Sequence, residues 1–193
     1  THAHDDHFAG MTTLIRAGRR IKYYATPLVR AAVAKKLAAL MSMEEEAFLD
    51  FFDARDLEFD VWNDVEGLQV KPVFSPHPVE CSVFLFRAVW DKQWRGYAHF
   101  ADIVSLDVLE SMVITDAGEP GVSRAFYDRI KAEYAIAADV KKLDIGGGLI
   151  HGQAADFRAD ASGKLLLSHV ARPLTEAESE IGSAAPFGAV DVL

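Results

Sequence analysis

The chain has 193 residues, half of them apolar and a quarter charged, with a formal net charge of −9. That is an ordinary globular composition, long enough for one domain with a sizeable core. It holds no apolar run near the ~20 residues of a membrane span, and its acidic balance disfavours a nucleic-acid groove. Cys81 is the single cysteine, which excludes an internal disulfide and fits a reducing cytoplasm.

The first ten residues are the densest in chemistry: Thr-His-Ala-His-Asp-Asp-His-Phe-Ala-Gly, with three of the seven histidines. If residues 1–5 end a strand, His2 and His4 point to one face, because side chains alternate. Phe8, Met11, Leu14 and Ile15 then have helical spacing, so a turn brings Asp6 and His7 into the same space from another direction. Imidazole and carboxylate at this spacing point to divalent metal, and one short segment serves two neighbouring ions.

A short helix over 8–17 is expected to stop at Gly18, followed by a strand over 21–25. Thr26-Pro27 opens a helix with an apolar stripe of Val29, Val33, Leu37 and Leu40, leaving Arg30, Lys35 and Lys36 solvated. Ser42 to Glu45 reads as a capping box for a second helix reaching Phe52. From 57 to 74 the pattern is β, with a turn at Gly67. His77 lies between two prolines in a rigid loop. Residues 83–89 and 96–104 read as a hairpin around Asp91 to Trp94. Asp102 stands near the end of the return strand, where a carboxylate amid apolar residues demands a partner. His99, three residues earlier, faces the opposite side and is assigned to a supporting role.

Residues 106–112 read as a short helix and 123–140 as a longer one, with Tyr127 and Tyr134 as packing residues. A strand over 142–145 runs into Gly146, Gly147 and Gly148, with no phosphate-loop pattern after them. His151 sits beside Gly152 in a turn that presents one imidazole. Residues 164–170 form a last strand, where nothing singles out His169. Thr175 to Glu178 is a capping box for a short final helix.

The run His2-Ala3-His4-Asp5-Asp6-His7 resembles the His-x-His-x-Asp-His signature of the metallo-β-lactamase superfamily. The resemblance implies an α/β fold, an αβ/βα sandwich with a metal site along one edge. The strands that would lead into the motif are missing here, as in a segment of a longer polypeptide. Residues 1–170 would be that domain and 171–193 a short helix with a linker or interface tail. By the same resemblance His2, His4 and His77 would hold one ion, and Asp6, His7 and His151 the second, with Asp102 bridging. The cofactors would be two divalent ions, zinc first, with iron or manganese as alternatives.

The activity implied is metal-dependent hydrolysis by a bridging hydroxide, with Asp6 in the catalytic role. The substrate would be a small ester, thioester, amide or phosphodiester. A di-iron centre binding oxygen or nitric oxide is the alternative, and a binding module that has lost catalysis is the third. A homo-oligomer, and a further domain beyond residue 193, are both compatible with the sequence.

Overall fold

The computed structural model describes residues 1–116, 118–185 and 188–190. The last residues of the 171–193 tail, 186, 187 and 191–193, lie outside that set. The amino-terminal segment is not a strand. Residues 1–3 run irregularly, with the Thr1 carbonyl accepting from Ser82 N–H at 3.2 Å. Two one-turn helices follow, α1 (Asp5–Phe8) and α2 (Met11–Leu14), and a 3₁₀ turn ends at Gly18 with φ 69°.

Strand β1 (Ile21–Ala25) leads into α3 (Pro27–Met41). Pro27 occupies the first turn, where its missing N–H costs nothing. The expected stripe of Val29, Val33 and Leu37 is buried. Two cations expected in solvent are tied down instead. Arg30 grips Asp56 through two nitrogens at 2.6 and 3.0 Å, and Lys36 donates to the Ala3 carbonyl at 2.6 Å and to Asp5. Lys36 therefore fastens α3 to the histidine-bearing segment.

Ser42 does not open a second helix. It closes α3 in the left-handed region at φ 51°, and Met43 N–H returns to the Ala38 carbonyl at 3.1 Å. Only a 3₁₀ turn and α4 (Phe48–Phe51) follow before the chain extends into β2 (Phe52–Asp56). Strands β1 and β2 pair in parallel as a two-stranded sheet. Phe8, Val29, Val33, Leu37, Phe48 and Phe52 form the core between that sheet and α3.

The second sheet has six strands, in chain order from edge to edge. They are β3 (Asn63–Val65), β4 (Leu68–Phe74), β5 (Ser82–Trp90), β6 (Gln93–His99), β7 (Val140–Asp144) and β8 (Lys164–Ser168). The first four are antiparallel, and β6, β7 and β8 run parallel. Between β6 and β7 the chain makes α5 (Leu106–Ser111) and α6 (Arg124–Tyr134). After β8 comes α7 (Glu176–Ser179), with both halves of the expected Thr175 and Glu178 capping box present.

Ile130, Tyr134 and Leu109 pack on Leu85, Ala98, Phe100 and Leu143 as the main core, and Tyr127 belongs to it as expected. Leu57, Val70 and Phe84 join the two sheets. The architecture is helix, sheet, sheet, helix. At the carboxyl ends of β6, β7 and β8 it sets three loops side by side, the place where parallel strands present chemistry.

Candidate metal centre

Asp102 is the hub. Strand β6 ends at His99, so Asp102 lies beyond the strand, in a buried loop held from several sides. Phe100 N–H reaches the Lys142 carbonyl at 2.9 Å, and Ile103 N–H donates to Asp144 at 3.1 Å. The Tyr134 hydroxyl donates to the Val104 carbonyl at 2.7 Å. The Asp102 carbonyl itself accepts from the Ser75 hydroxyl and from the Cys81 thiol. With its backbone so fixed, the carboxylate, 2 % exposed, faces a ring of imidazoles.

His2, His4, His77 and Asp102 form one group. His77 bonds through Nδ1 to the Ile150 carbonyl at 3.1 Å, which makes Nδ1 the protonated nitrogen and frees the Nε2 lone pair. That Nε2 stands 3.1 Å from His4 Nδ1 and 3.6 Å from Asp102 Oδ2. His2 Nε2 is 3.5 Å from the same oxygen. Four ligands at about 2.0–2.1 Å around a tetrahedral ion sit about 3.4 Å apart, so these separations have the right size.

The second group is Asp6, His7, Asp102 and His169. His7 Nε2 lies 3.1 Å from Asp102 Oδ1 and 3.5 Å from Asp6 Oδ2. His169 Nε2 lies 3.1 Å from Asp6 Oδ2 and 3.9 Å from Asp102 Oδ1. Asp102 thus turns one oxygen to each group, Oδ2 to His2 and His77 and Oδ1 to His7 and His169.

His169 stands where the sequence reading put His151. The chain leaves β8 at Ser168 and turns through His169 at φ 67°, which swings the ring into the cluster. His151 belongs to a third group, with Asp102, Asp144 and His169. Its Nδ1 is 3.0 Å from Asp144 Oδ2 but 4.0 Å from Asp102 Oδ2. Asp144, which sequence reasoning passed over, also lies 3.3 Å from His169 Nδ1. The available signal was a carboxylate at a strand end, separated from three glycines by Ile145 alone. Gly146 leaves the room these rings occupy: a Cβ there would come within 2.9 Å of both His151 and His169. His99 takes no part in any of the three groups; its Nδ1 pairs with the Tyr97 hydroxyl at 2.9 Å.

The protonation states of His7, His77, Asp6 and Asp102 suit coordination, and that of His169 favours the charged ring. Burial pushes the His77 imidazole down to about 4 and lowers that of His7. Burial alone would raise the Asp102 carboxyl, but the close approach of His2 and the neighbouring His7 and His169 rings hold it well below the usual range. The hydrogen bond from His169 lowers Asp6. For His169 burial favours the neutral ring, yet pairing with Asp6 and the Asp102 and Asp144 charges raise it. Cys81, beside His2, is no nucleophile, since burial pushes its thiol up to about 12.

The fit to metal rests on atoms without partners. His2 Nε2, His7 Nε2 and Asp102 Oδ1 are buried and make no hydrogen bond. Buried polar atoms are nearly always satisfied. Among the described residues six are not, and three of the six meet in the two converging groups; Arg95 Nε, Ser105 Oγ and Glu133 Oε2 lie elsewhere. Divalent cations in those groups would satisfy all three.

No protein-family model matches the chain, and no curated protein matches it. Solved structures do. The metallo-β-lactamase fold protein YhfI from Bacillus subtilis aligns with a TM-score of 0.58 at 12% identity, over 96% of this chain and 71% of that one. Human tRNase Z, short form, aligns with a TM-score of 0.53 at 18% identity, over 100% of this chain and 77% of that one. Together with the helix, sheet, sheet, helix layering and the cluster of histidines and aspartates, this likeness identifies the architecture: the chain has the metallo-β-lactamase fold.

Proposed function

We propose that the chain is a hydrolase that works with two divalent metal ions, zinc first among them, on a small substrate. The observation that carries this reading is the convergence of buried His2 Nε2, His7 Nε2 and Asp102 Oδ1, which lie close together and make no hydrogen bond. His2, His4 and His77 would hold one ion, Asp6, His7 and His169 the other, and Asp102 both. Such a pair of ions, when bound, brings the pKa of a shared water toward ~7 and polarises the bond under attack.

The chain's own residues do the rest. Asp6, whose side chain is 60 % exposed, is the carboxylate most open to solvent in the cluster and can accept the proton shed by the attacking water. His151 is oriented by Asp144, which accepts from Nδ1 and leaves Nε2 to exchange a proton with the leaving group. No serine or cysteine nucleophile is needed.

Elemental analysis of the metal-loaded protein tests this. Two equivalents are expected in the wild type, a loss of at least one in His4→Ala together with any esterase or phosphodiesterase activity, and no loss in His99→Ala. Retention of two equivalents by His4→Ala would count against the site. Iron with oxygen-sensitive visible bands would replace hydrolysis by the di-iron reading.

A further inference from the structure

A cleft of about 400 Å³ opens beside the histidine cluster. Gly146 belongs to both, since it lines the cleft and a Cβ on it would run into the His151 and His169 rings. The lining also includes the apolar Ile145 and Ile181 and two arginines, Arg158 and Arg172.

The two guanidinium groups are in different states. Arg172 is committed, because its terminal nitrogens take both Glu178 oxygens at 2.8 Å each and one also donates to the Pro173 carbonyl. It braces the start of α7. Arg158 Nη1 stands 3.9 Å from Glu180 Oε2, beyond hydrogen-bond reach, and its side chain is 61 % exposed. Its planar fork of five donors is therefore open to a ligand. On a molecule of net charge −9, an anion is repelled over most of the surface. In the cleft Glu178 is spent on Arg172, and Arg158, with Glu180 3.9 Å away, is the cation that offsets this repulsion beside the histidine cluster.

We propose that this cleft binds an oxyanion group of the substrate, phosphate or carboxylate, through Arg158, while the adjoining apolar part rests on Ile145 and Ile181. The inference deepens the hydrolase reading and rests on it for the word substrate. It makes the preferred substrate an amphipathic anion, with its charged group next to the bond that is cut.

Calorimetric titration of the metal-loaded protein with inorganic phosphate and with acetate tests it. Arg158→Gln and Arg158→Lys are compared with the wild type, and metal content is measured on each sample. Arg158→Gln is expected to weaken phosphate binding about tenfold at unchanged metal content, with Arg158→Lys between the two. A parallel loss for acetate assigns the cleft to oxyanions in general, and a loss for phosphate alone assigns it to phosphate. Unchanged affinity for both probes in Arg158→Gln overturns the proposal. If the wild type holds no metal, the hydrolase reading fails, and the arginine comparison still reports on the cleft.

Discussion

Asp144 is 1 % exposed, and its two oxygens accept from Gly146 N–H at 2.8 Å, from Ile103 N–H at 3.1 Å and from His151 Nδ1 at 3.0 Å. It touches neither of the two four-residue groups as a member, yet it fixes the ring of His169 that does. A carboxylate behind a ligating histidine sets the tautomer and raises basicity, and its loss costs 10–100-fold in metal affinity in known sites. Asp144→Asn would put an amide donor opposite protonated nitrogens. It is expected to weaken binding of the more labile ion by about that factor, read by competition with a coloured chelator. Equal affinity in the variant would make Asp144 a purely structural anchor. The sequence made most of the cluster legible, because the amino-terminal run is contiguous and its spacing carries the chemistry. It hid His169 for a local reason. Strand alternation assumes that the strand continues, and a left-handed residue right after Ser168 reverses the direction in which the ring points.

At the scale of elements, one buried cation joins α6, β7 and the loop before β8. Lys141 is fully buried and donates to the Tyr134 and Ile136 carbonyls at 2.6 and 2.8 Å and to Asp160, with the Phe100 ring 4.7 Å from its ammonium. All three ammonium protons are used, two of them on carbonyls at the end of α6, where the helix dipole favours positive charge. Removing one partner of a buried pair leaves an uncompensated charge and costs about 3–5 kcal/mol. Lys141→Met should therefore lower stability by about that much in urea unfolding, and Lys141→Met with Asp160→Leu should recover a large part. A loss below about 1 kcal/mol in the single variant would show that Asp160 is resolvated without strain.

Elements built on strong local signals were readable. The β5–β6 hairpin turns at Asp91 and Lys92, with φ 47° and 61°, and the Thr175 capping box formed as its residues dictate. The Ser42 box did not form, because the same serine was required to end α3. Strand β2 was missed because the apolar run Phe48, Leu49, Phe51 and Phe52 has no clean period. Its assignment as a strand comes from pairing with β1, which lies far away in sequence.

For the molecule as a whole, acid is the vulnerable direction. Burial pushes the His99 imidazole down to about 3, with Lys142 adding to the effect, and His77 down to about 4. Unfolded histidine titrates near 6.5. Between those values the unfolded chain takes up protons that the folded chain refuses. The stability these rings contribute is full above about pH 6.5 and drains away as the pH falls toward 4 and 3. The urea midpoint of the metal-free protein should drop between pH 7.5 and pH 5, and His99→Gln should make that slope shallower. A slope unaltered by His99→Gln would place the acid sensitivity elsewhere.

Asp6 and His169 meet across a separation of 163 positions. A contact of that span closes a very long loop, which makes it among the slowest to form. The first group draws its ligands from residues 2–102, although its loops lean on Lys142, Asp144 and Ile150. The second must wait for β8, some sixty residues later. The second candidate group is thus complete only after β8 has been made and has brought His169 to Asp6.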